Sequence, residues 1–366
     1  MKILLVGYTN SIHFWRWALF LKKAYQKVSI LSFVKTNIKF EKIYENYLDY
    51  SVKGNKILKF IKLIIKILKS INFINKSGFD LINFNYFELY SAFIALFTKK
   101  KIMITCWGSD ILRKYKKASG IKKIIFDITL NKASIITCDS ESIKNLIIKK
   151  CKKIKKDKIH LIYWGINPDL FPISSKKEKN ELRKKYNIPG NSIVLLSIRN
   201  LTEPYNIFKI IKYFKNKITD NNIILLVKIP LNSNKNYLKK CINEAGNNKN
   251  IIFLNNNVSH DKINEIYKIS DISLHFPDSD STPVSMLESI SSGNLIICSN
   301  QIESYKLLND YYDIKLIKLD DLDKEIIYKM LKDKNGIILK NKEKLKKLHT
   351  EKISVKKIKS LFKNQN

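Results

Sequence analysis

The sequence predicts an α/β protein built from two Rossmann-like, doubly wound halves that face a cleft. Three observations carry this expectation. Short apolar runs alternate with helical patterns, the whole series occurs twice, and a polar stretch with three prolines lies between the two copies. Continuous apolar strands of this kind suit a parallel sheet covered on both faces.

In the first half the strand candidates are KILLVGYTN, which stops at Gly7, then KVSILSF, FDLINFN, KIMITCWG and SIITCDS. Helical patterns such as FWRWALFLKKAY, SAFIALFTKK and SIKNLIIKKC stand among them. The second half offers SIVLLSIRN, NIILLVKIP, NIIFLNN, DISLHFP and NLIICSN, with helical segments such as HDKINEIYKIS. The separating stretch is NPDLFPISSKKEKNELRKKYNIPGN. The expected boundaries are a first domain over 1–170, a linker over 171–190 and a second domain over 191–345. A basic helix over 346–366 is expected to pack back on the first domain. Ligands of such sheets meet the carboxyl ends of the strands.

At 366 residues the chain is long enough for two cores, and 45% hydrophobic content excludes general disorder. The net charge of +36 comes from lysine rather than arginine. Lysine suits diffuse attraction to polyanions more than base-specific readout, so no specific nucleic-acid partner is expected; a polyanion-binding protein is the alternative from another class. Cys106, Cys138, Cys151, Cys241 and Cys298 form neither a C-x-x-C pair nor a zinc spacing. Met1 and Lys2 lead straight into a strand-like run, and no apolar run reaches the ~18 residues of a membrane span. A reducing, cytoplasmic compartment is expected.

Residues 53–76, KGNKILKFIKLIIKILKSINFINK, stand apart. Lys56, Lys59, Lys62, Lys66 and Lys69 recur every three or four positions and share a helical face, while Ile57, Phe60, Ile61, Ile64, Ile65 and Leu68 fill the remainder. The segment contains no acid. It reads either as a basic amphipathic helix lying on an anionic membrane surface, peripheral to the inner face of the cell membrane, or as a packing helix with a solvated lysine face.

The chemistry concentrates in HFPDSDSTPVSMLESISSG, residues 275–293. Thr282 followed by Pro283 fits an N-cap and first helical position, and Gly293 fits the helix stop. The N–H groups of Val284 and Ser285 then open toward the ligand side, where a helix start attracts phosphate. Asp280 and Glu288 flank that anion site and are placed to accept hydrogen bonds from hydroxyls, as on a sugar and a ribose. Asp278-Ser279-Asp280 has the spelling of a metal-binding D-x-D triplet, but it lies late in the chain and directly before the helix; no metal and no cofactor are expected.

The acid-x7-Glu pattern from Asp280 to Glu288, with its helix, glycine and following strand, resembles the nucleotide-sugar signature of retaining GT-B glycosyltransferases of family 4, the glycosyl transferases group 1. Nearly the whole chain follows the order of that family. The resemblance implies that Asp280 contacts the donor sugar, that groups from Ser281 and Thr282 through Pro283, Val284 and Ser285 face sugar and phosphate, and that Glu288 binds the ribose. LLSIRNLTEPYNI resembles the strand and loop of the diphosphate-binding pair, with Arg199 as its arginine and Tyr205 where a lysine is usual; Lys228 is the candidate for the second charge. LIYWGINPDLF resembles the step out of the first domain, with Asn167 in place of Asp. In CWGSDIL, Trp107 stands where many relatives have a donor-contacting histidine, which makes Asp110 the nearest polar catalytic candidate. His13, Arg16 and Trp107 are acceptor-side candidates. The implied activity is metal-independent, retaining transfer from a nucleotide-diphosphate sugar to a glycan or lipid-linked acceptor in cell-surface polysaccharide or glycoconjugate synthesis. A degenerate relative that binds without transferring is the alternative.

Overall fold

The computed structural model describes all residues except 25–26, 36–42, 46–54, 231–232, 256–259 and 364–366. Residues 53–54 of the basic segment and the last three residues of the helix expected over 346–366 therefore lie outside the described residues. The chain divides into two compact units, one of residues 1–163 with 354–366 and one of residues 164–353.

The first unit holds a seven-stranded parallel sheet. Its strands are β1 (Lys2–Gly7), β2 (Lys27–Ser32), β3 (Ile43–Glu45), β4 (Leu81–Asn85), β5 (Lys101–Cys106), β6 (Ile135–Cys138) and β7 (Ile159–Leu161). They are ordered 3-2-1-4-5-6-7. The second unit holds β8 (Ile193–Ser197), β9 (Ile223–Ile229), β10 (Ile251–Asn255), β11 (Ile272–His275), β12 (Leu295–Ser299) and β13 (Lys315–Ile317), ordered 10-9-8-11-12-13. Every pairing is parallel. All ten expected strands are present. The three not expected, β3, β7 and β13, have three residues each, too few to leave an apolar pattern.

Central strands are buried on both faces, which explains their unbroken apolar runs; β4 and β12 are buried at all five positions. Strand order reverses between β1 and β4 in one unit and between β8 and β11 in the other, so loops diverge there at the carboxyl edge and leave a crevice.

The stretch expected as a linker over 171–190 belongs to the second unit, whose first residue is Trp164. Its helix Lys176–Lys185 sends Arg183, 4% exposed, to the Asp271 carboxylate at 2.7 Å and to the carbonyls of Ile269, Gly190 and Ser192. Lys179 and Lys334 reach the other Asp271 oxygen at 2.6 and 3.0 Å. Polar composition here marks a buried ion cluster, a distinction that composition alone does not make. The terminal helix, expected over 346–366, runs from Glu351 to Lys363 and joins the first unit from Ser354 onward: Ser354 Oγ donates to the Tyr163 carbonyl, and Ile358 and Phe362 are buried. All five cysteines are free and buried.

Candidate active site

In the second unit the site forms where β8 and β11 end. Arg199 follows β8 by two residues and points to the loop after β11. Its guanidinium meets the Asp280 carboxylate at 2.8 Å, donates to Ser285 Oγ at 3.1 Å and lies over the Tyr205 ring at 4.6 Å. Burial alone would lower the affinity of this guanidinium for its proton, but Asp280 beside it, then Tyr305 and Tyr205, raise it. Asp280 is fixed from three further directions. Tyr305 donates its hydroxyl to Oδ2 at 2.8 Å, the Ser281 N–H donates to Oδ1, and Ser304 Oγ donates to the Asp280 carbonyl. Tyr305 is fully buried and its own proton is held firmly, by burial first and by Asp280 next.

The following helix, Val284–Ser291, starts one residue later than expected. Pro283, not Thr282, is the N-cap, with φ −74° and ψ 116°, and no side chain caps the helix. Proline's missing N–H costs nothing there, and its ring fixes the turn. Met286 and Leu287 donate to the Pro283 carbonyl, so Val284 and Ser285 precede the first intrahelical donors. Ser281, Thr282 and Pro283 are buried beneath that start. The stop at Gly293 is as expected: φ is 81°, and the N–H of Asn294 returns to the Ser289 carbonyl at 2.9 Å. Glu288, one turn into the helix, accepts from the Tyr267 hydroxyl at 2.8 Å. Lys228, near the end of β9, is close enough to feel the Glu288 charge, while burial lowers its pKa.

Asp278 and Asp280 face different partners. Asp278 accepts from Asn206 Nδ2 at 2.7 Å and its N–H donates to the Pro204 carbonyl, whereas Asp280 faces Arg199 and Tyr305. Among the described residues no group of three or more His, Cys, Asp or Glu side chains is gathered as for a metal ion. Behind the site His275 is fully buried at the end of β11, shares a 3.0 Å hydrogen bond with Ser273 and is kept neutral: burial, then the Arg199 charge, lower its pKa to about 3.

In the first unit a pocket of about 450 Å³ opens over the ends of β1, β4 and β5, lined by Tyr8, Asn10, Ser11, Tyr86, Glu88 and Trp107. Gly7 makes the crossing possible, since a Cβ there would lie 2.7 Å from the Asn85 carbonyl oxygen. Glu88 accepts from the Tyr8 hydroxyl and from Lys114 Nζ at 2.6 Å. Tyr86 adopts φ 70°, a left-handed conformation unfavourable for a bulky residue, and is held by Ser109 Oγ at 3.0 Å and by Lys114 over its ring. Trp107 packs between Tyr86 and His13, with ring centroids at 5.4 and 5.7 Å. His13 is exposed beyond it; Arg16, one turn on, is half-buried and does not line the pocket.

Asp110 is placed differently from the reach toward substrate expected of it. Its carboxylate is fully buried and accepts from the N–H groups of Phe87, Trp107, Gly108 and Ile111, at 2.8–3.1 Å. Burial raises its pKa to about 6 against the pull of those four donors. It ties the loops after β4 and β5 together, which makes it a positioning residue for Trp107.

The structure thus gathers Arg199, Tyr205, Asp280, Ser285 and Glu288 with Lys228 on one carboxyl edge, and the acceptor-side candidates His13 and Trp107 on another. Sequence reasoning missed Tyr305, Tyr267, Glu88, Tyr8 and Lys114. For Glu88 the signal was present, since NYFE follows a strand directly; Tyr305 and Tyr267 lie in ordinary helical patterns and offered none.

Two Rossmann-like units, one carrying an Arg–Asp pair and a helix start with a glutamate at the carboxyl edge of its sheet, define a GT-B sugar-transfer protein. The chain belongs to the family 4-like GT-B glycosyltransferases: residues 178–349 match "Glycosyl transferases group 1" and residues 2–140 match "Glycosyl transferase 4-like". It is an enzyme of the glycosyltransferase class. Among solved structures it is similar to HepE of Anabaena, solved in complex with UDP and glucose, at 13% identity and TM-score 0.78 over the full length of both chains. A glycosyltransferase of Rickettsia africae matches at 18% identity and TM-score 0.76, over 99% of this chain and 98% of that one. Sucrose-phosphate synthase of Thermosynechococcus elongatus matches at 12% identity and TM-score 0.78, over 100% and 99%. These likenesses concern the fold. No curated protein matches the chain.

Proposed function

We propose that this chain is a retaining, metal-independent glycosyltransferase that uses a nucleoside-diphosphate sugar and an acceptor that is a glycan or is lipid-linked, in the synthesis of cell-surface polysaccharide or glycoconjugate. The observation that carries the reading is Arg199, held between Asp280 and Ser285 at the start of the helix that bears Glu288. HepE was solved with UDP and with UDP-glucose, which supports a nucleotide-sugar donor here.

In this reading the bond from the anomeric carbon to the diphosphate oxygen breaks as the acceptor oxygen bonds to that carbon on the same face. Negative charge grows on the leaving diphosphate. Arg199 and the Val284 and Ser285 N–H groups stabilise it, and the acceptor proton passes to a phosphate oxygen. Asp280 accepts from donor-sugar hydroxyls and Glu288 from the ribose. The pocket of Tyr8, Tyr86, Glu88 and Trp107 takes the acceptor, its rings packing on a sugar face and its carboxylate accepting from hydroxyls. The chain acts in the cytoplasm, peripheral to the inner face of the membrane.

A thermal-shift panel of nucleotide sugars tests the donor class, since a bound donor raises the melting temperature by mass action. Product formation by the purified chain, with the anomeric configuration read by NMR, tests retention, and undiminished transfer in excess chelator tests metal independence. Absence of any stabilising nucleotide sugar would sink the reading. Trp107 in the histidine's place keeps a second reading, a chain that binds donor without transferring it, which donor stabilisation without product or hydrolysis would support.

A further inference from the structure

Helix Lys56–Lys76 packs on its sheet in a way that its sequence does not suggest. Leu63, Ile67, Ser70 and Ile74 form one stripe at helical spacing, and three of them are buried, with Leu63 half-buried. Ser70 turns its hydroxyl onto the Lys66 carbonyl, as a buried hydroxyl on an apolar interface must. A second stripe at the same spacing, Ile57, Ile61, Ile64 and Leu68, lies roughly 120° round the helix from the first and is exposed. Phe60 stands beside it, 63% exposed. The more apolar of the two stripes is therefore the exposed one.

A neighbouring helix of the same layer repeats this. Helix Leu89–Phe97 packs beside Lys56–Lys76, and helix Gly120–Lys132 packs beside it in turn. On the former, Tyr90 and Phe93 are half-buried against the core, and Phe97 at the end of the helix is 52% exposed. Ile121, Ile124 and Ile128 recur three and four residues apart on the latter, at 77%, 56% and 48% exposure. The outer face of a helix layer over a parallel sheet is ordinarily polar, so two exposed apolar stripes with Phe97 between them are more than scattered surface residues. The charged side chains within these helices are nearly all lysine. Lys62 and Lys69 flank the exposed stripe of Lys56–Lys76 and Lys122 that of Gly120–Lys132, and the only acid in the three helices, Asp127, is already held by Lys123 and Tyr115. Among the described residues no helix is long and apolar enough to cross a membrane.

We infer that the outer faces of these three helices form a monotopic docking surface for an anionic lipid bilayer, with the two isoleucine-rich stripes, Phe60 and Phe97 in the acyl boundary and the lysines at the headgroups. This deepens the peripheral placement proposed above and rests on it. Lysine alone would give attraction that salt abolishes; apolar side chains that enter the bilayer give binding that persists in salt. A second copy of the chain is a poorer occupant, since it would bring its own uncompensated lysines against these.

Flotation of the full chain with phosphatidylcholine vesicles, with and without phosphatidylglycerol, tests the surface. The wild type is expected to float with the anionic vesicles and to stay bound at high salt. Phe60→Gln with Leu68→Gln, and separately Ile121→Gln with Ile124→Gln, should each weaken that binding at least about tenfold. These side chains are mostly exposed, so melting temperatures and donor stabilisation should stay at wild-type values. If both double variants float as the wild type does, the apolar surface is overturned while peripheral binding stands. If the wild type floats with no vesicle, both fail, and a concentration-dependent dimer that Phe60→Gln with Leu68→Gln dissolves would identify a self-association face instead. Transfer to a soluble acceptor is read separately, so either failure leaves the transferase reading intact.

Discussion

The Arg199 guanidinium lies 2.8 Å from the Asp280 carboxylate, across the ends of two adjacent strands, β8 and β11. One residue is expected to meet a diphosphate and the other a sugar, so in the free protein each occupies the partner that the substrate will share. Their side chains are 13% and 12% exposed, which shields the pair from solvent and makes its geometry consequential.

Replacing Arg199 with alanine should lower transfer about 10²–10³-fold, the range for loss of one preorganised charge donor at a developing anion. Arg199→Lys should recover only part, because lysine cannot hold Asp280, Ser285 and the Tyr205 ring at once. Steady-state kinetics would show this as a fall in kcat; an unchanged kcat in both variants would remove Arg199 from the site.

Tyr305→Phe deletes only the hydroxyl that donates to Asp280. We expect about a tenfold loss of kcat/KM, from one charge-assisted hydrogen bond of roughly 1.5 kcal/mol, with donor-induced thermal stabilisation reduced in parallel. Asp280→Asn should be more severe, since it also strips the partner from the buried Arg199.

Glu288→Gln is expected to raise the donor KM about 10- to 100-fold, the cost of one or two weakened hydroxyl contacts. Tyr267→Phe should move KM in the same direction by less, because it removes only the hydroxyl that donates to Glu288. Equal donor affinity in wild type and Glu288→Gln would refute the ribose assignment.

His275 gives a pH dependence with a definite sign. Its folded pKa of about 3 lies below the ordinary value of 6.5, so between these values the unfolded chain binds the extra proton. Stability is full above pH ~6.5 and falls as pH drops toward 3. Asp110 works in the opposite sense: with its pKa raised to about 6, it costs stability as pH rises from ~4 to 6. Urea midpoints of wild type and His275→Asn compared from pH 7 to 4 isolate the histidine, and the variant should lose less stability over that range.

Arg183→Ala should lower the melting temperature by roughly 10 °C, since breaking a buried ion pair costs about 3–5 kcal/mol and leaves Asp271 undercompensated. Differential scanning calorimetry reads this directly, and a shift under a few degrees would show that Lys179 and Lys334 suffice.

Which parts of the protein were legible depended on how local their causes are. Strand runs, the Gly293 stop and the spacing of Asp280 to Glu288 follow from the periodicity and backbone preferences of a few neighbouring residues, so they could be read directly. The start of the site helix was misread by one residue because a Thr-Pro step satisfies two cap patterns equally. Asp110 was expected to reach substrate because its neighbours resemble a donor-binding loop; only the folded loops show four N–H groups converging on it.

The sequence by itself determined the two α/β halves, the family and the arginine, aspartate and glutamate proposed for the donor site, since each is written in contiguous pattern. Tertiary structure alone decided that Tyr305 and Tyr267 hold those carboxylates, that the polar stretch before the second sheet is a buried ion cluster, and that one helix leaves its more apolar stripe exposed. Those facts arise from contacts between residues as many as 92 positions apart, and from which of two equally spaced stripes the sheet accepts. Periodicity specifies a face, but not the direction in which the fold will point it.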